Sequence, residues 1–323
     1  MNAILSLTLG AALALSSFSA IAQDSRTFTD GTGTEIAVPA NPQRIVTLHD
    51  SRLTVPLLEL GIVPAGSHGR VAEDGTPFIR SSLEITGYDF ANTDIAFVGE
   101  TPIDIEQVAA LEPDLIIAPN WEEAGIDQLR TIAPTYVFDY EAITDEFEIY
   151  QKLAELAGVE DRLSTLEARY AEQIAMIRAL VDDPADITVN VIQPRQGQIR
   201  VWNTYFSLGK VLRDVGFSFP EAVDAIGETD VADFSAEILP ELDADFIFIT
   251  YPLKAFGQTP ADTDTGMAEV LPGWCDVLHA CRSGQVIHLP RSVASSTAYE
   301  ALGQMAQAVG SHIVGRDFVP MPE

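Results

Sequence analysis

The sequence predicts an α/β protein made of two similar Rossmann-like lobes joined by a single long helix, with a ligand cleft between the lobes. Three observations predict it. The phrase "IDIEQVAALEPDLIIAP", from Ile103, returns as "DFSAEILPELDADFIFIT", from Asp233. Glu106, Leu111, Asp114 and Ile116 are answered by Glu237, Leu242, Asp245 and Ile247 at one constant offset. Short, continuous apolar runs alternate with helical patterns, as parallel strands buried on both faces do. Between the two phrases lies an amphipathic stretch that puts Leu163, Leu166, Tyr170, Ile174, Ile177 and Val181 on one stripe.

Residues 1–22 read as a signal peptide. An apolar run ends in Ala20-Ile21-Ala22, an A-x-A pattern that places cleavage after Ala22 and the mature chain in the periplasm. The run is shorter than the ~20 apolar residues of a membrane span. The N-terminal lobe, 23–143, starts its core with a strand in "RIVTLHD". A helix in "SRLTVPLLELGI" follows and closes at Gly61, a C-terminal glycine stop. "AFVG", a helix from Glu106 and a strand at Asp114–Pro119 come next, then helix, break at Pro134 and strand in "IDQLRTIAPTYVFDY". The helical linker, 144–183, opens at a Thr144/Asp145 cap, pauses at Gly158 and ends at Pro184. The C-terminal lobe, 184–323, restarts the pattern. It has a strand in "ITVNVIQ", a helix closing at Gly216, the second helix–strand phrase, a strand in "GQVIHLP" and a final helix in "STAYEALGQMAQAVGSHIVG".

Charge narrows the partners. With 18 Lys and Arg against 48 Asp and Glu, the chain carries a formal −30, which repels nucleic acid and anionic membrane. Its only lysines are Lys152, Lys210 and Lys254, so an arginine drawn into a cleft has some claim to be there for a ligand. The two cysteines, Cys275 and Cys281, read as a local disulfide in an oxidising compartment, worth about 2 kcal/mol for so small a loop. A redox or metal role has less behind it, because the spacing is neither C-x-x-C nor a zinc pattern.

In parallel α/β lobes ligands sit beyond the carboxyl ends of the strands. The loops there carry Arg52, Arg70 and Trp121 in the first lobe, and Arg195, Trp202, Tyr205, Tyr251 and Arg291 in the second. His49, His68, Arg80 and Arg200 lie in the same loops with weaker claims. Arginines with aromatics suit an anionic, partly aromatic ligand. Each of these residues could instead pair with one of the abundant carboxylates or fill a half-buried wall. No nucleophile elbow, H-E-x-x-H, P-loop or dinucleotide fingerprint is present, and five scattered histidines have no metal-ligand spacing. The expectation is a binding protein and not an enzyme, without cofactor or directly bound metal.

Several separated motifs carry a likeness. "DGTGTEIAVPANPQRIVTL", "LLELGIVPAG", "IEQVAALEPDLII", "LRTIAPT" and "WCDVLHACRSGQVIHL" resemble the substrate-binding proteins of iron-complex and cobalamin ABC importers over nearly the whole mature chain. "GRVAEDGTPFIR", "FVGE", "QLRTIAPT" and "IRVWN" are most similar to ferric-siderophore binders of the ferric-enterobactin type. Cys281 departs from the aliphatic residue usual in its segment, which fits an added disulfide. The resemblance implies a monomeric periplasmic receptor that takes a ferric siderophore between its lobes and delivers it to an inner-membrane permease. Glu106 and Glu237 would be the two surface glutamates that dock on that permease. Haem or cobalamin is the alternative cargo within this class; an exported hydrolase is the alternative outside it.

Overall fold

The computed structural model describes residues 24–143, 145–227, 231–252 and 259–322. The signal peptide and the Thr144 cap expected from the sequence lie outside the described residues. The described residues open with an antiparallel hairpin, β1 (Ser25–Thr29) and β2 (Glu35–Pro39). Its turn is held by Asp30, whose carboxylate accepts the N–H groups of Thr32 and Thr34 and an Arg130 guanidinium.

The first lobe contains β3 (Ile45–Thr47), β4 (Gly66–Ser67), the small antiparallel pair β5 (Arg70–Val71) and β6 (Pro77–Phe78), β7 (Ala96–Phe97), β8 (Leu115–Pro119) and β9 (Thr135–Phe138). Five of them form one sheet in the order β7-β4-β3-β8-β9, every pair parallel. Strand periodicity of two sends alternate residues to opposite faces. Ile45, Leu115, Ile117 and Phe138 pack with Leu57, Tyr150 and Leu153, while Val46, Ile116 and Val137 pack with Val108, Ile126 and Leu129. Both faces are covered, which is why these strands read as unbroken apolar runs.

The second lobe holds β10 (Val189–Arg195), β11 (Gln198–Trp202), β12 (Val231–Phe234), β13 (Phe246–Tyr251) and β14 (Val286–Pro290), in the order β12-β11-β10-β13-β14. Here the sheet is mixed. β10, β13 and β14 are parallel, but β11 runs antiparallel to both its neighbours, β10 and β12, a departure from the parallel sheet the sequence suggests. The cause is a two-residue hairpin turn. Gln196 and Gly197 both take positive φ, 51° and 77°, the pattern whose twist suits a tight hairpin.

The connecting segment is two helices, Glu148–Ala157 and Glu160–Leu180, parted at Gly158 with φ 71°. The first is built into the first lobe's core. The second, 21 residues and about 30 Å long, makes the connection. Its stripe is divided: Leu163 and Leu166 pack into the first lobe, Ile174, Ile177 and Val181 into the second. A second tie joins the lobes. The final helix, Tyr299–Ile313, presents the N–H groups of Tyr299 and Glu300 to the Glu59 carboxylate of the first lobe at 3.1 and 2.6 Å. Val55, Leu58, Ile79 and Ile85 share one core cluster with Val293, Ala294 and Leu302 across the same junction.

Cys275 and Cys281 are disulfide-bonded, with Cα atoms 5.0 Å apart. Among the described residues no helix is long and apolar enough to cross a membrane.

Candidate functional site

All five strands of the first sheet point the same way, so their following loops meet on one rim. β3 delivers His49, Asp50 and Arg52, the last two on a π-helical turn, Asp50–Thr54, capped by the His49 ring. β4 delivers His68 and Arg70, β7 Glu100, β8 Trp121 and β9 Tyr140. Asp50 anchors the rim. It has no exposed surface, and Arg80 grips it with Nε and Nη2 at 2.8 and 2.6 Å. Burial alone would raise the Asp50 pKa, but the hydrogen bonds and charge of Arg80 hold it well below the usual carboxylate range. His68 approaches the same carboxylate at 3.6 Å, too far for a hydrogen bond, and its Nδ1 has no hydrogen-bond partner among the described residues.

An aromatic wall stands over this anchor. Trp121 is 51% exposed; its ring lies 4.7 Å from that of Tyr140 and 5.6 Å from that of His49, which stacks on His68 at 5.9 Å. Burial, with help from the Arg80 and Arg52 charges, pushes the His49 pKa down to about 3 against the pull of Asp50, so the ring is neutral at pH 7. The Arg52 guanidinium lies 5.2 Å from the Tyr140 ring centroid. Burial raises the Tyr140 pKa, keeping it a phenol, and its hydroxyl is buried with no partner among the described residues.

The arginines of this rim are not spare cations. Arg52 pairs with Glu146 at 2.6 Å, Arg70 with Glu100 at 3.1 Å and Arg80 with Asp50. The sequence leaves open whether these arginines serve a ligand or pair with an abundant carboxylate, and the fold brings each one a carboxylate. Arg200 is likewise bound, to Asp233 across β11 and β12.

The second lobe contributes a looser set. Arg195 is exposed at the tip of the β10–β11 hairpin, beside a depression of about 300 Å³ also lined by Thr250, Asp262 and Glu269. Tyr251 ends β13 and Arg291 opens the short helix Arg291–Ala294; both are half-buried. Tyr205 is only 1% exposed and its hydroxyl shares a 2.8 Å hydrogen bond with Thr250. It braces the wall from inside, and so little exposure leaves almost no ring surface for a ligand. Trp202 packs edge-on against Tyr205 at 4.7 Å. Gln198 pairs with Arg195 at the tip, so Trp202 stands about 13 Å down the strand from it.

The structure therefore gathers His49, Arg52, His68, Arg70, Arg80 and Trp121 on one rim, and places Arg195, Tyr251 and Arg291 at the strand ends of the other lobe. Tyr140, Glu100 and Glu146 escaped sequence reasoning. The first two had a signal, since each lies two or three residues past a strand end, in "TYVFDY" and "FVGE". Glu106 and Glu237 are exposed, each in the first turn of its helix.

The model of a family described as periplasmic binding protein matches residues 67–293. The chain belongs to the periplasmic binding protein family. Among the relatives of this periplasmic binding protein is the iron(3+)-hydroxamate-binding protein YxeB of Bacillus subtilis, 30% identical over 70% of this chain and 67% of that one. The ferric enterobactin-binding periplasmic protein FepB of Escherichia coli is 28% identical over 60% of this chain and 61% of its own. Among solved structures, Staphylococcus aureus SirA complexed with staphyloferrin B superposes with a TM-score of 0.70 at 21% identity. That match covers 89% of this chain and 98% of that one, and it shows the shared two-lobed fold.

Proposed function

We propose that this periplasmic binding protein is a receptor that captures a ferric siderophore between its lobes and delivers it to an inner-membrane ABC permease. The lobes are 23–143 and 184–323, connected through 144–183. The observation that carries the reading is the Trp121–Tyr140–His49 wall set beside the Arg52, Arg70 and Arg80 donors on a strand-end rim, where open α/β folds take ligands. Names of relatives that bind ferric siderophores support the same cargo. The siderophore supplies the oxygens that hold iron, and the protein supplies aromatic faces and guanidinium N–H groups. No bond is made or broken. Glu106 and Glu237 are proposed as the permease contacts.

Tryptophan fluorescence of the mature protein tests this. Titration with ferric siderophores, hemin and cyanocobalamin, corrected for ligand absorbance with free tryptophan, should give saturable sub-micromolar quenching by a ferric siderophore. Trp121→Phe should lose most of that signal. Saturation by hemin or cyanocobalamin alone would move the cargo to the alternatives within the family. Quenching unchanged in the variant would place the ligand away from the Trp121 rim.

A further inference from the structure

We propose that the complex this site takes carries no net negative charge, and that its iron is held by hydroxamates and not by catecholates. This rests on the siderophore reading above and narrows it. Around the first rim stand three guanidinium groups, Arg52, Arg70 and Arg80, each already joined to a carboxylate: Glu146, Glu100 and Asp50. Glu122 stands close by as a further acid, and His49 adds no charge at neutral pH. In the second lobe Arg195 shares its depression with Asp262 and Glu269. Only Arg291 among these arginines has no acidic neighbour in an ion pair or shared depression, counting described residues. The mouth of the cleft is thus close to neutral, inside a chain of formal charge −30.

A ferric tris-catecholate carries three negative charges. To be held by these arginines it must displace their carboxylates or lie against them. Displacement strands Asp50, which has no exposed surface, without its counter-ion. Lying against them adds like-charge repulsion. A ferric tris-hydroxamate is neutral or singly positive and offers carbonyl oxygens and aliphatic spacers. A paired guanidinium still has N–H groups to donate, since only part of its five-donor fork is used. The side chains of Arg52, Arg70 and Arg80 remain 31, 37 and 35% exposed. Trp121 and Tyr140 supply apolar surface for the spacers. The rim has kept its donors and lost its charge, which suits an acceptor-rich neutral ligand.

The test is a set of titrations on the mature protein at low and high salt, using ferric desferrioxamine, ferrichrome, ferric enterobactin, hemin and cyanocobalamin. The expected result is binding of one of the two hydroxamates at least 100-fold tighter than ferric enterobactin, with affinity almost independent of salt. Glu100→Gln and Glu146→Gln release the Arg70 and Arg52 charges, so each should raise the ratio of catecholate to hydroxamate affinity at least 10-fold. Ferric enterobactin binding as tightly as the hydroxamates, or variants that leave the ratio unmoved, would overturn the charge proposal while leaving a siderophore receptor in place. Saturation by hemin or cyanocobalamin alone, or by none of the five, would overturn the siderophore reading and this proposal with it.

Discussion

Asp50 is wholly withdrawn from water, and an unpaired carboxylate in that position would be expensive enough to unmake the rim. Arg80 makes it tenable, with two hydrogen bonds that also fix the guanidinium 3.4 Å from His49 Nε2. Removing one member of a buried pair costs more than the pair contributes, because the other is left uncompensated. Asp50→Asn should therefore destabilise the protein by roughly 3 kcal/mol, the low end for buried pairs, since the Arg80 side chain is one-third exposed. Urea unfolding monitored by far-UV circular dichroism would read it as a lower midpoint at unchanged slope. The sign in pH follows from the direction of the shift. The folded pKa of Asp50 is depressed, so its contribution is complete above the ordinary carboxylate range, about pH 4, and drains as pH falls below it. A loss under 1 kcal/mol in the variant would mean that the Arg80 pair does not hold the rim.

At the scale of elements, the repeated phrase divides into a part the fold needs and a part it does not. Asp114 accepts the N–H groups of Gln43 and Arg44 at the entrance to β3, and Asp245 accepts the N–H of Thr188 at the entrance to β10. In both lobes the repeated aspartate clamps the start of a neighbouring parallel strand. Ile116 and Ile247 recur because both lie fully buried on interior strands of their sheets. These were legible in the sequence because strand, helix and glycine stop are local signals. What was not legible is instructive. The second Glu-led helix, Ala236–Leu242, is 3₁₀ and not α, with Pro240 inside it, where proline removes an amide donor. The antiparallel turn of β11 hid in "PRQGQI", where only backbone dihedrals reveal the hairpin. The rim's neutrality was out of reach, because Arg52 and Glu146 lie 94 positions apart and a single sequence does not say which carboxylate finds which arginine. The join between elements carries its own prediction. Glu59 caps the final helix and accepts the Tyr150 hydroxyl, yet burial outweighs these bonds and pushes its pKa up to about 7, with Glu300 adding repulsion. Tyr150, Tyr299 and Glu300 face it directly; Glu300 is tied to Arg169 at 3.4 Å, and Asp145 and Glu167 stand near Tyr299. A raised folded pKa means stability that is full below about pH 4 and lost as pH rises through 7. Thermal unfolding should show a contribution of up to about 3 kcal/mol that declines between about pH 4 and pH 7. Glu59→Gln should flatten that decline, and an unflattened profile would assign it to other groups.

For the whole molecule the question is whether, in a chain of formal charge −30, two particular glutamates serve the proposed permease contact. Glu106 and Glu237 sit in corresponding first turns, one per lobe, and both are exposed. An acid there gains a few tenths to about 1 kcal/mol from the helix dipole, which accounts for either residue singly. The neighbouring repeats, Asp114 with Asp245 and Ile116 with Ile247, are explained by buried packing and strand clamps; exposed glutamates have no such duty. Because the lobes are tied by the linking helix and by the Glu59 cap, the spacing between two lobe-borne contacts is a property of the assembled molecule. A permease that reads both reads that spacing as well as the charge. The prediction separates capture from delivery. Glu106→Arg with Glu237→Arg should leave Kd for the ferric complex within about twofold of wild type, since neither residue belongs to the rim. Cells relying on this receptor for iron should nevertheless lose uptake of the labelled complex by 10-fold or more, with each single variant in between. If the double variant transports normally, the docking assignment is wrong. If its ligand affinity collapses instead, the two glutamates belong to the lobes' own integrity and the repeat has a structural origin throughout.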